Sequence, residues 1–164
     1  MEVVVVSDTS PIRALAHLGL LDVLGTLYRI VFVPLAVESE LKNPKSSCKP
    51  VDLDKYDFFE FRKAGKDTDL EGVLSELDPG ETEAILLAKE LGIRGLLMDE
   101  LAGRDKAVDL GLRVLGTIGV LLRAKEIGRI NAVSPLLDEL QKKLNFFISK
   151  KLRATALRLA GEEA

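Results

Sequence analysis

Tryptophan is absent from the 164 residues, histidine and cysteine occur once each (His17 and Cys48), and aromatics make up only 5%. Each shortage removes a class of function. A single histidine does not build a histidine-rich zinc site or a histidine relay. A single cysteine forms no internal disulfide and suits a reducing compartment, so a cytoplasmic location is expected. Few aromatics argue against a base-stacking platform of the single-strand-binding type. No apolar run approaches the ~20 residues that span a bilayer, and no membrane partner is expected. The opening MEVVVVSDTS has no basic n-region and its apolar stretch stops at Ser7 and Asp8, so no secretory signal is expected. The net charge of −3 does not advertise a nucleic-acid binder. A phosphate-binding surface must then be local or be supplied by metal ions.

What is present is a soluble-protein balance, 47% hydrophobic and 30% charged, long enough for one domain with a real core. A single domain over 1–164 is expected, its C-terminal helices from about 117 packing on the core. Val3 to Val6 is a continuous β-branched run, the pattern of a strand buried on both faces. Ser10-Pro11 reads as an N-cap and first helical residue, opening a helix through Leu18. A helix over Leu20–Leu27, a strand over Ile30–Val33 and a helix over Leu35–Lys42 follow. Positions 44–55 read as a loop, Tyr56–Arg62 as an edge strand, and Leu70–Leu77 as a helix. Asp78-Pro79-Gly80-Glu81 is a strong helix start, with Asp as the cap, Pro at the first position and Glu three after the cap. That helix should reach Leu91, with Gly92 beyond its end. Gly95–Met98 and Arg113–Leu115 read as strands around a helix over Leu101–Leu110. Thr117 is placed as the cap of a helix through Ile127, Ser134-Pro135 opens another to about Leu144, and Ser149 caps a last one ending near Gly161. Strands alternating with helices predict an α/β fold with a mainly parallel central sheet covered on both faces. The site of such a sheet lies at the carboxyl ends of its strands.

With so little histidine and cysteine, chemistry must rest on carboxylates. Asp8 follows the first strand and Asp99 follows GLLM, so both emerge at one edge if the two strands are parallel. Either residue alone can equally be a helix N-cap. Two more acids can reach that edge. In VESEL, Glu38 and Glu40 lie about 200° apart on a helix and cannot face one site. Glu38 stands four residues before Lys42 and can pair with it, which leaves Glu40. In DPGETEAILLA, Glu81 has a bland explanation as the partner of Asp78 in a capping box. Glu83 has no such local role and is preferred, although periodicity leaves both open. Two carboxylates ~4 Å apart repel by roughly 4 kcal/mol at an effective dielectric of about 20. Such a cluster must stay partly protonated or hold cations. Hard divalent ions, Mg²⁺ or Mn²⁺, suit these oxygen ligands and support hydrolysis of a phosphodiester.

The phrases VVSDTSPI, VPLAVESEL, LDPGETEAILLA, LLMDELAGR and VLGTIGVLLRAKE, in that order, resemble PIN-domain proteins, and most closely the DUF3368 branch related to the VapC toxins. The resemblance runs from about Val3 to Gly161. It implies a PIN-like three-layer α/β fold and a metal-dependent ribonuclease with an acidic site. Carried over by position, the acids are Asp8, Glu40 (directly before Leu41), Glu83 (directly before Ala84-Ile85) and Asp99, with Ser10 as the small hydroxyl two residues after the first acid. Arg13 departs from the pattern, since relatives carry an apolar residue there, and this puts the local packing or a partner contact in question.

The expected function is a metal-dependent endoribonuclease acting on RNA, with the toxin half of a toxin–antitoxin pair as its cellular setting. Its expected partners are RNA, an antitoxin protein and a second copy of the chain. Arg104, five residues after Asp99, is a candidate phosphate contact or an ion-pair partner of Asp99 or Glu100. Thr117 is either a cap or a hydrogen-bonding support of the site. His17 reads as a packed or surface residue, and Cys48 as incidental. Asp105 and Asp109 read as solvated charges. The apolar faces in 118–122 and 152–159 read as core, or as a homodimer interface. A catalytically inactive PIN-like module binding RNA or a protein is the alternative. Phosphatase chemistry of the haloacid dehalogenase type requires a second Asp two residues after Asp8, where this chain has Ser10.

Overall fold

The computed structural model describes residues 3–44 and 48–162. The β-branched run near the start forms strand β1 (Val4–Ser7), and Ile30–Pro34 forms β2 beside it. Phe59–Arg62 is β3, Gly95–Leu97 is β4 and Arg113–Leu115 is β5. They make one five-stranded sheet in the order β3-β2-β1-β4-β5, and every neighbouring pair is parallel. The aromatic-rich segment is thus an edge strand, as its composition suggested.

The strand order reverses at β1. The chain steps outward from β1 to β2 and β3, then returns to lay β4 and β5 on the other side. Ligands of open parallel sheets bind at such a switch point, outside the carboxyl ends of the strands. Ser7 of β1 is in register with Leu97 of β4, and the Asp8 amide donates to the Leu97 carbonyl at 2.9 Å. Asp8 and Asp99 therefore leave the sheet side by side.

Contacts divide the chain into two compact units, Met1–Leu115 and Gly116–Ala164. The first holds the sheet together with α1 (Thr9–His17), α2 (Asp22–Leu27), α3 (Leu35–Lys42), α4 (Thr68–Val73), α5 (Pro79–Leu91) and α6 (Leu101–Asp109). One face of the sheet, with Val6, Phe32 and Leu96, shares a core with Ile85, Leu87 and Ala88 of α5 and Ala107 of α6. The alternate residues Val5, Val31, Val33 and Leu97 are fully buried as well. Burial on both faces is why these strands read as unbroken apolar runs rather than alternations. Each buried Ile or Leu contributes about 1.5–3 kcal/mol relative to exposure.

The second unit is helical, comprising α7 (Thr117–Glu126), α8 (Ser134–Lys143) and α9 (Lys150–Leu159). The Ser149 hydroxyl accepts from the Leu152 amide and caps α9 as expected. Glu162 fastens these helices. Its carboxylate accepts from the Val133 amide at 2.7 Å, the Ser134 amide at 3.0 Å and the Lys125 ammonium at 2.9 Å. Burial pushes its pKa upward, and those three donors outweigh it, lowering the value to about 2. Among the described residues no helix is long and apolar enough to cross a membrane.

Several boundaries differ from the sequence reading. Helix α1 starts at Thr9 with Asp8 in the cap position, so Ser10 and Pro11 lie inside its first turn. Proline is tolerated there because first-turn amides have no intrahelical partner to lose. Gly116, not Thr117, caps α7. Helix α4 begins earlier because Asp67 caps it, accepting from Leu70 at 3.0 Å. The loop read over 44–55 lies partly outside the described residues.

Candidate active site at the switch point

Asp8 occupies an N-cap position with extended backbone, yet its side chain makes no capping hydrogen bond. The cap is the ordinary reason for an Asp at this place, and here it does not apply. The side chain is 6% exposed. Burial raises its pKa from 3.8 to about 8, opposed by the Thr9 amide and reinforced by the negative charges of Asp78, Glu81 and Glu40. A buried carboxyl among three other acids has a standing affinity for positive charge, whether a proton or a metal ion.

Glu40 enters from the last turn of α3. Its Oε2 accepts from the Thr9 hydroxyl at 2.9 Å, which fixes the carboxylate beside the residue that follows Asp8. Gly80, in the first turn of α5, lies between the two acids. A Cβ on Gly80 would meet Glu40 Oε1 at 2.7 Å and Asp8 Oδ1 at 3.4 Å. Glycine leaves room here for the Glu40 carboxylate, which a Cβ would displace, while Asp8 would stay at ordinary contact distance. Glu38 lies off this cluster, paired with Lys42 at 3.3 Å, as the helical spacing indicated.

Asp99 joins through Ser10, whose hydroxyl donates to Asp99 Oδ2 at 2.8 Å. The two residues after Asp8 thus each orient one further acid, Thr9 holding Glu40 and Ser10 holding Asp99. Arg104 donates to the Met98 carbonyl at 3.3 Å and is anchored at the end of β4, beside Asp99. Arg13 extends one Nη to the main-chain carbonyl of Glu40 at 3.2 Å, while its Nε is buried without a hydrogen-bond partner. This accounts for the departure at position 13: the guanidinium ties α1 to the carboxyl-terminal half of α3.

The glutamates of α5 divide differently from the sequence reading. Glu83 accepts from the Ala36 amide at 2.9 Å, so it serves the amino-terminal turn of α3, a cross-helix task that local spacing cannot reveal. Glu81 does form the capping box with Asp78, through hydrogen bonds of 2.7 and 3.2 Å. That box uses only Oε1. Its Oε2 is buried without a partner, at 3.2 Å from where a Gly103 Cβ would stand. Burial also raises the Glu81 pKa. Glu81 stands near enough to Asp8 for its charge to raise the Asp8 pKa, and Gly103 of α6 leaves room for its Oε2, a relation legible only once α5 and α6 are neighbours.

Thr117 is the buried first residue of α7 in the second unit, and its helix has no side-chain cap bond. His17 is exposed at the end of α1, and Cys48 is half-buried and in no disulfide among the described residues.

Among the described residues, no three acidic, His or Cys side chains stand close enough together to cage one metal ion. Asp8 and Glu40 flank Gly80, and Asp99 is held apart from them by the Ser10 hydroxyl. A hard divalent cation that keeps several waters needs only one or two protein carboxylates plus substrate phosphates. The hard-oxygen donors, the raised Asp8 pKa and the partnerless Glu81 oxygen all suit such a cation.

Neither a curated protein nor a solved structure matches the chain. A parallel sheet with its acids at the switch point agrees with the match, over residues 4–162, to the family model described as DUF3368, a PIN domain, and the chain belongs to that family.

Proposed function

We propose that the protein is a metal-dependent endoribonuclease that hydrolyses RNA phosphodiester bonds at the β1/β4 switch point. PIN domains are generally nucleases and typically use divalent metals. The observation that carries the reading is Asp8, a buried carboxyl in a helix-cap position that leaves its helix uncapped and gathers other acids instead. Asp8, Glu40 and Asp99 would hold Mg²⁺ or Mn²⁺, with a fourth carboxylate from α5. The family resemblance implies Glu83 for that place, while the geometry favours Glu81, whose Oε2 has no other partner. When bound, the metal supplies water activation and stabilises charge at the phosphorus. The chain's own contribution is positioning. Thr9 and Ser10 set the rotamers of Glu40 and Asp99, Gly80 admits the backbone of α5, and burial keeps the Asp8 carboxyl poorly solvated until a cation arrives.

The test is cleavage of single-stranded RNA by the wild-type chain with Mg²⁺ or Mn²⁺, against an EDTA control. Metal-dependent cleavage supports the proposal, and none at any metal concentration opposes it. A non-catalytic PIN-like module is the second reading, favoured by the absence of a three-carboxylate cage among the described residues. Calorimetry with Mn²⁺ separates the two, since no heat at millimolar metal favours the non-catalytic module.

At the level of the cell, the proposed setting is a toxin restrained by an antitoxin protein. Growth arrest on overexpression, relieved by the product of an adjacent small reading frame, supports that role. Unchanged growth opposes it.

A further inference from the structure

The net charge of −3 conceals a strong asymmetry. The unit Met1–Leu115 carries 14 Lys and Arg against 21 Asp and Glu, a net of −7, while Gly116–Ala164 carries nine against five, a net of +4. Within the second unit the imbalance is sharper still. Residues 140–161 contain six Lys and Arg and no acid. Four of these, Lys142, Lys143, Lys150 and Lys151, are exposed, and among the described residues none of the four is in an ion pair. Arg153 differs, being paired with Asp138 at 2.9 Å.

Two placements in this segment do not serve the stability of the fold. Lys150 and Lys151 are the first two residues of α9, whose first turn holds no acid. Positive charge at the amino end of a helix is disfavoured by the macrodipole. Phe147, in the connector between α8 and α9, is 85% exposed. A ring in water contributes nothing to folding. The run KKLNFFISKK thus sets an exposed ring between two lysine pairs. That combination matches a phosphate backbone with its bases: lysines neutralise phosphates, and one ring stacks on a base. The scarcity of aromatics excludes a multi-ring platform, and a single ring is what remains.

We propose that the α8–α9 connector and the start of α9 form a binding surface for single-stranded RNA. The identity of the polymer rests on the nuclease reading given above; the surface itself rests on charge and exposure. It gives the acidic protein the local phosphate-binding patch that its composition otherwise lacks.

The experiment is a fluorescence-anisotropy titration of an unstructured oligoribonucleotide with the full chain in EDTA, at salt from about 50 to 200 mM. A variant with all four lysines changed to Gln should bind at least tenfold more weakly. Its log-affinity against log-salt slope should be shallower by about 3, since each single-strand phosphate contact contributes about 0.7. Phe147→Ala should weaken binding about tenfold with the slope unchanged, the signature of stacking rather than charge. Matching melting temperatures would verify that both variants are folded. Wild-type affinity and slope in the lysine variant overturn the proposal. So does lysine-dependent binding to anionic phospholipid vesicles without binding to RNA. The two readings fail separately: a chain that binds RNA through these lysines but never cleaves it keeps the surface and loses the nuclease, and the reverse result does the opposite.

Discussion

Asp8 sits where a helix cap belongs and does not cap, and the consequences are measurable in the folded protein. Its pKa of about 8 lies above the ordinary 3.8, so the folded state holds this proton more tightly than the unfolded chain does. The group's contribution is fully present below about pH 4 and is lost progressively as the pH rises to about 8. Without added metal, Asp8→Asn should therefore stabilise the fold at pH 8 by an amount of the order of a few kcal/mol, seen as a higher melting temperature, and leave it little changed at pH 4. Equal melting shifts at both pH values would contradict the burial of this carboxyl. Gly80→Ala separates the site from the scaffold. Alanine is favoured over glycine in a helix by about 1 kcal/mol, and the atom its Cβ meets, Glu40 Oε1, is the movable end of a side chain. Stability should be kept or increased, while displacement of the Glu40 carboxylate should reduce cleavage by one to two orders of magnitude, roughly the effect of a 1 Å misplacement. The glutamates of α5 give the third residue-scale outcome. Glu83→Gln should weaken the hold on the Ala36 amide and cost about 1 kcal/mol, as for other capping interactions, whereas Glu81→Gln should abolish cleavage with a smaller effect on melting. The reverse pattern returns the fourth ligand to Glu83.

At the scale of elements, legibility followed locality. Helices α3 and α5 and strand β5 were read with their observed ends because their signals are adjacent in sequence: Pro34 before α3, the Asp78 box and Gly92 around α5, and glycines flanking the short strand. The helical spacing that set aside Glu38 is also met in the structure, by its pairing with Lys42. What was not legible depends on neighbours brought together by the fold. Asp8 displaced Ser10 as the cap residue because the chain stays extended one hydrogen bond past β1, held by the Leu97 carbonyl. Glu83 acquired a role on α3, and Arg13 a carbonyl on α3, through contacts 47 and 27 residues distant. Glu162 is the same case in the second unit, a residue beyond the last helix that holds the start of α8. Its pKa, depressed to about 2, means that its contribution is present above the ordinary 4.5 and is lost as the pH falls toward 2. Glu162→Gln should cost about 1–3 kcal/mol at neutral pH, the range for a charged hydrogen-bonded group. Hydrogen exchange at the Val133 and Ser134 amides checks it: both should exchange faster in the variant, and unchanged rates would contradict the anchoring role.

For the whole molecule, the sheet order places two acids at the carboxyl ends of adjacent central strands, and the amino-acid composition leaves few other groups to do chemistry. The sequence showed which acids were available; the switch point showed why Asp8 and Asp99 leave the sheet at neighbouring strand ends. Charge is partitioned along the chain, acidic in the unit that holds the candidate site and basic in the helical unit that follows. An acidic site concentrates metal cations, and a basic surface concentrates polyanions. The central claim is that the acids around Asp8 cut RNA with a divalent metal. Its most direct test is single-turnover cleavage of a labelled RNA in Mg²⁺ or Mn²⁺ by the wild type and by Asp8→Asn, each shown to be folded. Metal-dependent cleavage by the wild type is expected, with a loss of at least a hundredfold in the variant, the scale of removing one electrostatic contributor to catalysis. Equal cleavage by the two proteins would contradict it.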